Sequence, residues 1–227
     1  MRWTIGFDGD DTLWHNETLF SMTQERFRAL LAEEVSPDDL DARLLDTERR
    51  NLEIFGYGIK GFVLSMIETA VEVSAERVPA SDIRRILDFG KEMLRHPVEL
   101  LDGVAETIEA LSGRHDLLLI TKGDLFDQES KIARSGLAEH FRGIEIVSEK
   151  DPETYRRVLA RHGVGPERFV MVGNSVRSDI LPVLALGARA VHVPYHVTWA
   201  HEQADPPAEG YLRAASLADL PDLLAAL

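Results

Sequence analysis

Five short apolar runs, at residues 3–7, 117–121, 144–147, 169–172 and 190–193, set the strongest limit on what this chain can fold into. Each is followed by turn or helix signals, the pattern of strands buried on both faces of a parallel sheet. Between them the apolar spacing is helical: Val104, Ile108 and Leu111 share one face, as do Tyr155, Val158 and Leu159. Strands alternating with helices predict an α/β fold with a mainly parallel sheet and helices on both of its faces. Ligands of such sheets gather at the carboxyl ends of the strands, and the polar clusters of this chain fall at those ends.

From about Glu17 to Arg95 the pattern changes. No strand-like run appears there. Phe62, Val63, Met66, Ile67, Ala70 and Val71 trace an i, i+3, i+4, i+7 stripe, and Ile83, Ile86, Leu87 and Leu94 trace another. Leu40, Leu44 and Leu45 suggest a shorter helix starting after Ser36-Pro37. The spacing predicts an all-helical insert, residues 15–95, between the first strand and the rest of the sheet. The core is then residues 1–14 and 96–227.

Composition removes several classes of function. The chain has 227 residues and no cysteine, so disulfides, thiolate metal ligands and thiol nucleophiles are excluded. A net charge of −14 with no basic run argues against nucleic acid and anionic membrane as partners. No apolar stretch approaches the roughly 20 residues needed to cross a bilayer. Met1-Arg2 leads directly into the first strand, leaving no room for a signal peptide, so the expected location is the cytoplasm. The same negative charge would repel a phosphorylated metabolite, and any phosphate site must therefore be locally positive. A metal ion would meet that need.

Four clusters follow separate strands: Asp8-Gly9-Asp10-Asp11-Thr12, then Thr121-Lys122-Gly123, then Lys150, then Gly173-Asn174-Ser175-Val176-Arg177-Ser178-Asp179. In extended chain, residues two apart project to the same side, so Asp8 and Asp10 can meet one substrate. One carboxylate can attack phosphorus while the other handles the leaving group's proton. A hydroxyl with successive N–H groups, as at Thr121 to Gly123, forms an anion-binding concavity. Each cluster also has a plainer reading. Two acids suit a turn or a helix cap, and Thr121 could bond its own turn. Lys150 could be a solvated lysine, and Asp179 could cap a helix that takes Pro182 in its first turn. Their joint order, acid pair, hydroxyl, lysine and acid, favours chemistry.

That order resembles the haloacid dehalogenase superfamily, and within it the phosphatase-like members with a helical cap after the first motif. The resemblance covers nearly the whole chain, with motifs at Asp8 to Leu13, Thr121, Lys150 and Gly173 to Asp179. It implies a Rossmann-like three-layer core, an inserted helical cap at residues 15–95, and a Mg²⁺-dependent phosphatase acting on a small phosphorylated metabolite. By this resemblance Asp8 attacks phosphorus to form an aspartyl-phosphate, and Asp10 protonates the leaving oxygen and then activates water. Thr121 and Lys150 hold the phosphoryl oxygens. Mg²⁺ is bound by Asp8, by the main-chain carbonyl of Asp10 and by Asp179, with Asn174 nearby. Three positions depart from the family: Asp11 stands where Gly is common, Lys122 where Asn is common, and Asn174 where an acid is common. Lys122 could touch phosphate or Asp11, and the neutral Asn174 could weaken magnesium affinity.

Elementary electrostatics also asks for a cation. Two like charges roughly 4 Å apart repel by about 4 kcal/mol at an effective dielectric of about 20. Crowding Asp8, Asp10 and Asp179 beside a phosphate multiplies that cost, and should favour a proton on Asp10. Asp10 also separates the reactions, because the superfamily's dehalogenases lack an acid at that position. A phosphotransferase or mutase on the same aspartyl-phosphate stays open, as does a binding protein that kept the fold. So does a phosphonatase with Lys60 as its cap lysine.

Several features invite other readings. Gly56-Tyr57-Gly58-Ile59-Lys60-Gly61 fits GxGxxG, but no strand precedes it, and a loop between insert helices fits better. In related capped enzymes such a loop faces the active site, which makes Tyr57 and Lys60 candidate substrate contacts beside Lys122, Gly123 and Lys150. Trp14 could line a pocket or anchor the hinge into the insert. His192, His196 and His201 could suggest a transition-metal site, but they have no thiolate partner. No Gly-x-Ser-x-Gly elbow supports a serine hydrolase.

Overall fold

The computed structural model describes residues 2–207 and 209–225. β1 (Thr4–Phe7), β2 (Asp116–Lys122), β3 (Gly143–Val147), β4 (Phe169–Gly173), β5 (Arg189–His192) and β6 (Leu212–Arg213) form one sheet. Its order is β3-β2-β1-β4-β5-β6, and every pairing is parallel. β6, two residues long, had no apolar run to announce it.

The strands alternate between two apolar layers, as a sheet covered on both faces requires. Ile5, Phe7, Leu117, Leu119, Val170 and Val172 pack with Val104, Ile108 and Leu111 of α5 (Val104–Ser112) and Leu220 and Leu224 of α9 (Leu220–Ala225). Leu118, Ile120, Phe169 and Met171 pack on the other side. There they meet Tyr155, Val158 and Leu159 of α7 (Pro152–His162) and Val183 of α8 (Leu181–Leu184). The fold is therefore the α/β, three-layer, Rossmann-like arrangement expected of the sequence. α7 starts at Pro152 because the Asp151 carboxylate accepts the Thr154 N–H at 2.7 Å and proline suits a first helical position.

The chain divides into two compact units. One is Met1–Glu17, Val98–Lys122 and Gln128–Leu227, and contains the sheet. The other is Thr18–Pro97 with Gly123–Asp127. Four helices, α1 (Glu17–Leu30), α2 (Pro37–Phe55), α3 (Ile59–Val73) and α4 (Ala80–Arg95), supply most of it. Ser36 caps α2 through the Asp39 N–H, and the helix runs 19 residues, longer than the leucine spacing alone implied. On α4 the buried stripe is Ile86, Phe89, Gly90 and Met93. Leu87 is exposed, because one residue of a helix is a turn of about 100° and carries it off that face.

The loop from Gly56 to Gly61 joins α2 to α3, with helix rather than strand before it. Gly58 adopts φ 103°, open to glycine alone at little cost, and starts α3. Among the described residues, no helix is long and apolar enough to cross a membrane.

Candidate active site

β1 ends where its neighbour's hydrogen bonds carry on: the Asp8 N–H donates to Val172 O at 2.9 Å, so Asp8 stands at the carboxyl end of the central strand beside β4. Lys150 Nζ lies 2.5 Å from Asp8 Oδ1 and 2.7 Å from Asp179 Oδ1, so one ammonium serves two carboxylates. The Lys150 and Asp179 side chains are 2% and 1% exposed. Burial works against the lysine's charge, but Asp179 and Asp8 outweigh it and hold its pKa above the ordinary value. Burial pushes the Asp8 carboxyl up to about 7; Asp179 and Asp10 add to this and Lys150 opposes it. A single cation between two buried anions leaves the cluster short of positive charge.

Asp179 lies in one π-helical turn, Val176–Ile180, a geometry frequent at functional sites. Its Oδ2 accepts the Ser175 N–H at 3.0 Å, and Tyr155 Oη, which donates to Ser178 O, lies 3.5 Å from its Oδ1. It is fully buried and no mere cap for α8. Gly173 must be glycine, since a Cβ there would overlap the Asp179 carboxylate.

Thr12 Oγ links the first and fourth clusters. It lies 3.2 Å from Asp8 Oδ2 and 3.3 Å from Asn174 Oδ1, and accepts the Asn174 N–H at 3.0 Å.

Asp10 is held in place by four hydrogen bonds from three side chains. Oδ1 accepts from Trp14 Nε1 at 2.7 Å and Lys131 Nζ at 3.0 Å, and Oδ2 from Gln128 Nε2 at 2.8 Å and the same lysine at 3.2 Å. Lys131 also donates to Asn16 Oδ1 at 2.8 Å. Trp14, 1% exposed, is thus a buried support for Asp10. Thr121 Oγ donates to Gln128 Oε1 at 3.2 Å, so Gln128 joins the hydroxyl after β2 to the acid after β1. Gln128 and Lys131 sit on α6 (Leu125–Ser135), three residues apart and both buried. Sequence reading missed both. Their one signal was two long polar side chains at helical spacing after Thr121, a pattern equally fit for a solvated face.

Lys122 is bound to the fourth cluster. Nζ donates to Glu202 at 2.6 Å, Glu149 at 3.2 Å and Ser178 Oγ at 3.2 Å. Asp11 caps the start of α1, accepting the N–H groups of Asn16 at 2.9 Å and Glu17 at 3.0 Å. Gly123 follows Lys122 with φ 150°.

Lys60, in the helical unit, pairs with Asp124 at 2.9 Å and lies over the Phe126 ring. Tyr57 is half-buried in the loop before α3. The three histidines take separate roles. His192 bonds Asn174 O at 3.0 Å, His196 stacks near Tyr195 and His201 near Trp199.

Among the described residues, no three acidic or imidazole side chains form a metal-binding group. Two buried carboxylates, Asp8 and Asp179, nevertheless fit Mg²⁺. That ion takes one or two carboxylates and fills its shell with substrate and water oxygens.

With the fold and this cluster in view, the chain belongs to the haloacid dehalogenase-like hydrolases, whose sequence model matches residues 4–187. A haloacid dehalogenase-like family hydrolase from Xanthomonas campestris is 46% identical, with a TM-score of 0.89 over 99% of this chain and 91% of that one. The L-2-haloacid dehalogenase of Xanthobacter autotrophicus shares the fold at 14% identity, with a TM-score of 0.67 and full coverage of both chains. Among curated proteins, the phosphoserine phosphatase of Thermus thermophilus is 31% identical over 137 residues, 58% of this chain. That match spans about half of the relative's length, 53%.

Proposed function

We propose that this hydrolase is a cytoplasmic, Mg²⁺-dependent phosphatase that cleaves a small phosphorylated metabolite through an aspartyl-phosphate on Asp8. The observation that carries the reading is the pair Asp8 and Asp10. Asp8 is held against Lys150 as a nucleophile must be, and Asp10 is fixed by Trp14, Gln128 and Lys131 as an acid–base group must be. A halide leaves without a proton, so a fixed second acid favours an ester oxygen as leaving group. The phosphoserine phosphatase relative supports the same choice.

In the first step an Asp8 oxygen attacks phosphorus, the bond to the ester oxygen breaks, and Asp10 gives that oxygen a proton. In the second, Asp10 takes a proton from water as the water oxygen attacks phosphorus, which frees Asp8 and inorganic phosphate. Thr121 and Lys150 orient the phosphoryl oxygens throughout. Asp8, the Asp10 carbonyl and Asp179 would hold Mg²⁺, with Asn174 beside it, and the ion supplies the positive charge that two carboxylates and a phosphate together lack. We assign residues 15–95 as a cap that selects substrate, with Tyr57 and Lys60 as its candidate contacts.

The test is phosphate release across sugar phosphates, nucleotides and phosphorylated amino acids, with Mg²⁺ or excess chelator. Metal-dependent release by the wild type, lost in Asp8→Asn, is the expected outcome. Equal release by that variant, free of contaminating phosphatase, would refute the mechanism.

A further inference from the structure

Glu202 belongs to no motif, yet it is bound into the fourth one. It ends a single helical turn, Ala200–Glu202, in the segment that follows β5. Its side chain is 15% exposed. Oε2 accepts from Ser175 Oγ at 2.7 Å and from Ser178 Oγ at 2.6 Å, and Oε1 accepts from Lys122 Nζ at 2.6 Å. Ser175 caps the turn that carries Asp179, and Ser178 lies on that turn beside it. The Ser175 N–H donates to Asp179 Oδ2, Ser175 Oγ accepts the Ser178 N–H, and Lys122 donates to Ser178 Oγ. Arg177, on the same turn, donates to His201 O at 2.5 Å and ties the segment down next to Glu202. Charge-assisted bonds of this length are the stronger class. The lysine they engage is the one that departs from the family's usual residue.

We propose that Glu202 is a positioning residue for the divalent-cation site. It orders Ser175 and Ser178, and through them the turn that presents Asp179, while it takes up the Lys122 ammonium at the edge of the cluster. The inference rests on the cation reading given above. Groups of this outer kind orient the ligands they touch, and their loss commonly weakens metal binding by about 10- to 100-fold.

Mn²⁺ serves as the probe, titrated into the full chain and followed by the paramagnetic resonance signal of the free ion. Glu202→Gln keeps the side-chain volume and removes the charge. It should weaken Mn²⁺ binding about tenfold or more, while the protein still melts cooperatively. The Ser175→Ala/Ser178→Ala double variant should do the same with Glu202 intact, and it decides the matter alone should the glutamine variant fail to fold. Turnover by Glu202→Gln should recover as cation is raised, with substrate KM at saturating cation close to that of the wild type.

Mn²⁺ affinity within about twofold of wild type in the folded variants would overturn the proposal, as would a wild type that binds no Mn²⁺. A wild type that binds Mn²⁺ yet releases no phosphate from any ester would sink the phosphatase reading. The Glu202 comparison would then still be decided by the binding data.

Discussion

Asp11 offers the sharpest test of the electrostatics at this site. It holds a left-handed backbone, φ 61°, and is 7% exposed, and its carboxylate accepts from the start of α1. Burial, helped by Asp10, raises its pKa from 3.8 to about 7, against the opposing pull of the Glu17 and Asn16 N–H groups. The folded state thus binds more protons than the unfolded one between those values, so this group's contribution to stability falls as pH rises through the window. At about 1.4 kcal/mol per pH unit, the gap from 3.8 to about 7 amounts to about 4 kcal/mol in all. Asp11→Asn retains an oxygen for both N–H donors and tolerates the left-handed conformation, but cannot ionise. Relative to wild type it should be nearly neutral near pH 4 and more stable by a few kcal/mol near pH 8. Urea unfolding of both proteins at the two pH values, with chelator present, measures the difference directly. A wild-type-to-variant difference that is the same at both pH values would refute the reasoning.

Two further substitutions probe the geometry. Lys131→Met removes the cation that holds Asp10 and should lower kcat by up to about 100-fold with little change in KM, since the lysine grips the acid–base group; steady-state kinetics would count against this if KM rose and kcat held. Gly173→Ala drives a Cβ into the Asp179 carboxylate and should cost about 1–3 kcal/mol of stability, read from urea or thermal unfolding, where an unchanged midpoint would contradict the packing.

What could be read in the sequence, and what could not, divides along a physical line. Runs such as residues 169–172 announce β4 because a strand buried on both faces must be apolar at every position. Asp8, Thr121, Lys150 and Asp179 were legible because strand ends are where such sheets collect polar groups. Their partners were not. Lys131 meets Asp10 across 121 residues of sequence and Glu202 meets Lys122 across 80, and no periodicity encodes either pairing. The Glu202 partner of Lys122 was invisible because sequence gives a charge without its counter-charge. Leu87 was assigned to the wrong face because several apolar positions on α4 fit more than one stripe.

The strand order has a consequence for how the chain is made. β1 is made before both strands it pairs with, and they lie far downstream: Thr4 pairs with Asp116 on one side and Phe169 on the other. At a synthesis rate of about 5–20 residues per second, the second partner arrives roughly 8–30 seconds later. Meanwhile Ile5 and Phe7, fully buried in the finished sheet, have no neighbouring strand, whereas the helices between residues 17 and 95 can find one another locally. The order of strands in the sheet thus makes the closing of its centre wait on segments made more than a hundred residues after β1.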